Sequence, residues 1–453
     1  MIYRRKTYDA LLRWRKESNG RTALMIEGAR RVGKSTIAEE FAKREYRSYV
    51  LIDWQRAPTA VRDSLLNNLD DLDSLFMDLS VYYGVRLYER ETLFIFDEVQ
   101  LFPFARSAVK HLVADGRYDY LETGSLISMR KNVEGILIPS EEESISMFPM
   151  DFEEFLWACG EDLLAEAIRE AFTAKKALSP LLDRKAERLW REYMLIGGMP
   201  QAVERYLETS DMGMVDRVKR QILRLYMQDI EKYGGGDADR VRRIFGEIPG
   251  QLSKHEKKFT LAAVDSDARS RDYRDAFFWL DDSYLVNRCM NATDPRVGLS
   301  LYQEDSSMKC YMGDTGLLVT MVFGDRDYTS NELYRDVLFG KLETNEGMLV
   351  ENVVAQQFRA AGHRLFFYSR YSRQASERME VDFLLVKQYG NAAGRMRVCP
   401  VEVKSTKRYS TVSLDKFKAK FDSRIGMQYV LHPKPLKADG DRLYLPLYMA
   451  HCL

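Results

Sequence analysis

Short apolar runs and helically spaced segments alternate over the first third of the chain. The apolar runs lie at 22–27, 48–54, 92–97, 118–123 and 144–149. Each is too short for a helix and is flanked by polar or turn residues, so each reads as a strand. Between them lie helix-like stretches, one from about Leu65 to Tyr88. Regular alternation of this kind predicts a parallel sheet with helices on both faces. The leading segment, with Tyr8, Leu11, Leu12 and Trp14, reads as an amphipathic helix packed on that core.

The rhythm changes after about residue 155. Phe152–Trp157, Leu189–Ala202 and Val215–Ile230 have helical spacing, interrupted at Gly197-Gly198-Met199-Pro200. Gly234-Gly235-Gly236 reads as a flexible joint closing this region. Beyond it, Val241–Leu252, a segment starting at Phe259-Thr260-Leu261, and Arg269–Leu280 suggest three short helices. Strands at Val286–Met290 and Lys309–Met312 follow, and the set suggests a winged helix. Arg269, Arg271 and Arg274 would then face nucleic-acid phosphates, although Asp272, Asp275, Asp281 and Asp282 beside them equally suit a packing role.

The last segment begins with a helix near Gly347–Val354 and continues with strands at Leu365–Tyr368, Glu380–Val386 and Val398–Lys404. With Gly28–Ser35 fitting G-x-x-x-x-G-K-[ST] between the first strand and a helix, the expected organisation is an α/β P-loop NTPase-type domain at 1–155, a helical region at 156–237, a winged-helix-like module at 238–325, and an α/β domain at 340–453.

Composition narrows the classes. With 45% hydrophobic and 30% charged residues the chain can fill a large core and stay in solution. No apolar run reaches the ~18–20 residues of a membrane span, and the basic start lacks the apolar stretch of a signal peptide. Five scattered cysteines without a Cys-x-x-Cys pair argue against a zinc ribbon or disulfide framework. A cytoplasmic, non-membrane protein is expected. The 68 basic and 68 acidic residues cancel, so a general cationic coat for nucleic acid is absent, while a local patch remains open.

Candidate chemistry falls in two places. Gly28-Ala29-Arg30-Arg31-Val32-Gly33-Lys34-Ser35-Thr36 fits the P-loop pattern between a strand and a helix. Its backbone N–H groups would cradle the phosphates of ATP, Lys34 would reach the β- and γ-phosphates, and Ser35 would ligate Mg²⁺. The apolar strand Thr92–Phe96 ends in Asp97-Glu98. Asp97 would hold the Mg²⁺ shell, and Glu98 would activate the attacking water. Thr123-Gly124-Ser125 closes another strand, where Thr123 or Ser125 would sense the γ-phosphate or the lytic water, unless the segment is an ordinary turn.

The second place is the C-terminal strand pair, with the pattern Asp382-x19-Glu402-x-Lys404. Alternation puts Glu402 and Lys404 on one face of their strand, and Glu380 and Asp382 on one face of theirs. Paired as a hairpin, these strands would bring Asp382, Glu402 and Lys404 together. Two carboxylates suit Mg²⁺ or Mn²⁺, Lys404 would stand beside the reactive water, and Glu351 would add a ligand from its helix. The plain alternative is a set of charges on a solvated sheet face.

Taken together, GARRVGKST, LFIFDEVQ, ETGSLIS, MFPMDFEEFL, YMLIGGMPQAV, KCYMGDTGLL, GMLVENVV, EVDFLL and PVEVKS resemble one family. It is the prokaryotic AAA-superfamily P-loop ATPases fused to a C-terminal domain of unknown function with a restriction-endonuclease-like fold. The resemblance spans nearly the whole chain. It implies roles for Lys34, Ser35, Asp97, Glu98, Glu351, Asp382, Glu402 and Lys404. Many members carry a Gly-Arg pair before the segment matching MFPMDFEEFL, and Ile138–Glu143 here lacks it. Arg106, Arg117 and Arg130 are the positional candidates for an arginine finger.

Two readings follow. In one, an ATPase associated with DNA or RNA cuts or grips it through a C-terminal nuclease-like metal site. In the other, an ATP-dependent switch, acting as a homo-oligomer or with a protein partner, carries a C-terminal binding module without chemistry. A small-molecule kinase fits poorly, because the chain runs far beyond a compact kinase core.

Overall fold

The computed structural model describes residues 2–124, 141–254, 258–260, 270–324, 330–332, 346–372, 374, 377–388 and 395–453, without the side chains of 270–272. The chain divides into two compact units. The first comprises Met1–Phe148 with Asp282–Tyr284, and the second Pro149–Asp281 with Leu285–Leu453.

In the first unit, β1 (Ala23–Glu27), β2 (Ser48–Asp53), β3 (Thr92–Asp97), β4 (Asp119–Gly124) and β5 (Glu142–Ser146) form one sheet in the order β2-β3-β4-β1-β5. All neighbouring pairs are parallel. β1 and β3 are apolar and buried along almost their whole length, as strands covered on both faces must be. β5 starts two residues earlier than its apolar pattern suggests, because Ala23 pairs with Glu142. The sheet order puts β4 between the P-loop strand and the acidic strand, so the end of β4 lies next to both.

The second unit is helical at first. The helix Phe152–Ala158 opens with a capping box, in which the Asp151 carboxylate accepts from Glu154 N (2.9 Å) and Glu154 accepts from Asp151 N (3.2 Å). The helices Pro180–Ile196 and Pro200–Thr209 flank the Gly197-Gly198 turn. That turn is tight, since a Cβ on Gly198 would stand 2.1 Å from Met150 O. The Gly234–Gly236 segment, expected as a flexible joint, is instead a short turn between the helices Met212–Tyr233 and Ala238–Leu252. A Cβ on Gly234 would meet Ile230 O at 2.5 Å, so glycine serves close packing there.

β6 (Val286–Ala292) and β7 (Gln303–Met312) pair antiparallel as expected. They are not a free-standing wing. β6 also pairs in parallel with β8 (Leu365–Arg370), which pairs with β9 (Met379–Val381), giving the sheet β7-β6-β8-β9. Phe259 and Thr260 lie in no helix, and Phe259 N donates to Met308 O (2.8 Å). The remainder of that expected helix falls outside the described residues. A further sheet has the order β10-β11-β12-β14-β13, from β10 (Phe383–Gln388), β11 (Met396–Val403), β12 (Gln428–His432), β13 (Lys437–Asp439) and β14 (Arg442–Pro446).

The helix Glu346–Ala360 is buried over most of its length, including Glu351, Asn352, Gln356 and Gln357. Buried polar side chains need partners, and these have them. Asn352 Oδ1 accepts from Met312 N (2.8 Å), and Gln356 Oε1 accepts from Thr315 N (2.8 Å). These bonds fix the helix against the end of β7 and thereby set where Glu351 points.

Candidate functional site

The loop between β1 and the helix Lys34–Glu45 carries two residues in the left-handed region, Arg31 (φ 73°) and Gly33 (φ 101°), a backbone pattern that suits an anion-binding turn. Gly28 allows a close approach, because a Cβ there would sit 2.2 Å from Met147 O. The Lys34 ammonium is buried and donates to Gly28 O and Ala29 O, both at 3.0 Å. It is thus held against the loop that would receive the phosphates. Arg30 is half-buried, while Arg31 and Thr36 are exposed.

Ser35 and the two acids meet at the mouth of this loop. Ser35 Oγ donates to Asp97 Oδ1 (2.6 Å), and Thr123 Oγ1 donates to the same oxygen. Thr123 Oγ1 accepts from Glu98 N (3.2 Å), so one hydroxyl ties the ends of β3 and β4 together. Glu98 has φ 53°, a left-handed conformation that non-glycine residues seldom adopt, and its carboxylate accepts from Gln100. The structure therefore brings together Lys34, Ser35, Asp97, Glu98 and Thr123. Ser125 and Arg130 lie outside the described residues.

Sequence reasoning missed Arg5. Its guanidinium is buried and donates to Val32 O (2.9 Å) inside the loop and to Phe148 O (2.6 Å) after β5. The sequence signal, an arginine just before an amphipathic helix, was too weak to read. The two described candidates for a finger are committed elsewhere. Arg106 is buried against Glu142 (2.6 Å), and Arg117 pairs with Asp73 (2.6 Å) and Asp115 (2.8 Å).

In the second unit, Phe383 pairs with Val401, which sets Asp382 beside the end of β11. Asp382 Oδ2 accepts from Val403 N (2.8 Å). The Lys404 ammonium stands 2.9 Å from Glu402. Burial pushes the Glu402 carboxyl up to about 7, and nearby Asp382 adds to that while Lys404 offsets it in part. Burial also raises Asp382, followed by repulsion from Glu351, against the pull of Lys309.

Glu351 and Asp382 converge, but on Lys309, a residue the sequence reading placed in a strand without a role. Its ammonium lies 3.1 Å from Glu351, 2.9 Å from Glu380 and 3.7 Å from Asp382. Alternation along β7 puts Tyr311 on the same face, and its hydroxyl also donates to Glu351. Burial works against the Lys309 charge, yet Glu351, Glu380 and Asp382 hold its pKa well above the usual value. The detectable signal was a lone lysine within Met308–Met312, an otherwise uncharged strand end. Among the described residues, no three His, Cys, Asp or Glu side chains are grouped as a metal site. As placed, the three carboxylates stand 2.9–3.7 Å from the ammonium, farther than the roughly 2.0–2.1 Å of Mg²⁺ ligands. The winged-helix arginines give no patch that can be traced. Arg269 and the side chain of Arg271 lie outside the description, and Arg274 is exposed beside Asp305 (3.9 Å).

Comparison with known proteins assigns the parts separately. Residues 20–156 match the family described as AAA domain. Residues 187–328 and 346–448 match two domains of unknown function, DUF8612 and DUF4143. No curated protein matches the chain. Among solved structures, the Drosophila ORC bound to AT-rich DNA and Cdc6 is similar at 12% identity and TM-score 0.24, over 71% of this chain and 92% of that one. The Thermotoga maritima RuvB Holliday junction branch migration motor is similar at 12% identity and TM-score 0.28, over 63% and 90%. A Pyrococcus horikoshii STAND signal transduction ATPase with a tetratricopeptide repeat sensor is similar at 10% and 0.27, over 80% and 45%. Likenesses this loose say nothing about what the present chain binds. No described helix is long and apolar enough to cross a membrane. The loop, the parallel sheet and the match over residues 20–156 make the first unit an AAA domain of the P-loop ATPase superfamily.

Proposed function

We propose that this protein is an ATP-hydrolysing switch whose second unit binds a partner. The observation behind the ATP-hydrolysing part of this reading is the meeting of Lys34, Ser35, Asp97, Glu98 and Thr123 where the loop and two strand ends come together. Lys34 would shift from its carbonyl partners to the phosphates of ATP. Hard oxygen donors at Ser35 and Asp97, already 2.6 Å apart, suit Mg²⁺, which would neutralise phosphate charge when bound with ATP. Glu98 would hold and deprotonate the attacking water, and Thr123 would keep Asp97 and Glu98 in register. The test is ATP turnover and ATP binding by Glu98→Gln, run without nucleic acid, with DNA and with RNA. Bound ATP with turnover lowered about 10²–10⁴-fold supports the base role. Wild-type turnover in that variant refutes it.

A nuclease reading of the second unit has one observation in its favour. Glu351 and Asp382 share Lys309, while Glu402 and Lys404 pair on the strand whose Val403 N bonds Asp382, so residues the resemblance implicates lie on neighbouring elements. DNA or RNA cleavage that needs Mn²⁺ or Mg²⁺ and disappears in Asp382→Ala and Lys404→Ala, with ATP turnover intact, would establish it. The cluster's own cations favour a binding module.

A further inference from the structure

We infer that Lys309 is the resident cation of the carboxylate cluster, and that it keeps a divalent ion out. The inference concerns the second unit alone and stands whether or not the first hydrolyses ATP. Lys309 comes from β7, whereas its carboxylate partners come from the helix Glu346–Ala360 and from β9 and its end. Its side chain is 1% exposed, and its ammonium touches Glu351, Glu380 and Asp382 at once. The face of Phe367, 5.1 Å away, adds an attractive surface. Glu351 is further fixed by Tyr311, and Asp382 by the backbone of Val403.

An ammonium buried this deeply is strongly disfavoured unless it is paired, so it has no reason to leave its partners. A divalent ion at the ammonium's position would have to expel it and draw the oxygens in from 2.9–3.7 Å to roughly 2.1 Å, by about 0.8 Å for Glu380 and about 1.6 Å for Asp382. Glu380 is the accessible member of the trio, with its side chain 36% exposed, and marks the side from which an ion would approach. Removing the ammonium, by contrast, would leave three carboxylates around one space, which is the donor set a hard cation takes.

The test measures Mn²⁺ binding by calorimetry and by the loss of the free-ion spectrum, on the full chain without nucleotide. All proteins carry Asp97→Asn so that the first site does not contribute. Lys309→Met should bind Mn²⁺ at least about tenfold more tightly than its parent. Adding Glu351→Gln should abolish that gain. Equal affinity in parent and Lys309→Met overturns the inference, as does a gain that survives Glu351→Gln. Lys309→Gln serves as a second variant if Lys309→Met does not fold in metal-free buffer. Folding of either restored by Mn²⁺ supports the inference, and failure of both to fold with Mn²⁺ present overturns it.

Discussion

Removing the Arg5 guanidinium should loosen the nucleotide loop from behind. Arg5 joins two carbonyls that the chain separates widely, Val32 O in the loop and Phe148 O beyond β5. Val32 is fully buried, so water cannot easily replace the lost donor. Hydrogen bonds from a charged group contribute about 1.5–3 kcal/mol each, so Arg5→Met should cost roughly 3 kcal/mol or more. For a unit of this size that corresponds to about 6–12 °C in midpoint. If half of the loss is local to the loop, ATP affinity should fall by about tenfold. Hydrogen exchange of a peptide covering Gly28–Thr36 reads the loop directly, and a fluorescent ATP analogue reads affinity. Arg13→Met, exposed on the following helix, is the control. Loop exchange and affinity unchanged in Arg5→Met, or changed equally in Arg13→Met, would refute the brace.

Further expectations concern the second unit. Gly198→Ala places a Cβ 2.1 Å from Met150 O and should destabilise the unit by about 1–3 kcal/mol in urea unfolding; a midpoint within error of wild type would deny the close approach. Glu402 has its pKa raised from 4.5 to about 7. Stability linked to it is therefore full below about pH 4.5 and lost as pH rises through 7. Glu402→Gln should make the fall in stability between pH 5 and 8 shallower by up to about 3 kcal/mol; an unchanged slope would mean that Glu402 ionises normally. Asp382→Asn removes a charge facing Lys309 but keeps an acceptor for Val403 N, so it should cost less stability than Asp382→Ala. Equal losses would show that the backbone bond contributes nothing.

The nucleotide loop was legible in the sequence because its chemistry is local. Gly28 to Ser35 are contiguous, and the backbone conformation that cradles an anion follows from glycines at fixed spacing between a strand and a helix. Asp97-Glu98 were legible because a short apolar run ending in acids can be read without knowing the partner strands. The sequence also predicted the β10–β11 hairpin, but not that its first strand would break at Asp382, which leaves Glu380 in β9 against β8. It could not show that Thr123 would join Asp97 to Glu98, since that depends on β4 lying next to β3. It could not show that Arg5 would reach Val32, or that β6 would join β8 across 76 residues instead of ending as a free wing. Above all, Lys309 looks in sequence like one polar residue in an apolar strand. Only the packing of the helix Glu346–Ala360 against β7, with β9 on the same sheet, puts three carboxylates around its ammonium. Backbone chemistry is set by neighbours along the chain, whereas the charge balance of a buried cluster is set by neighbours in space.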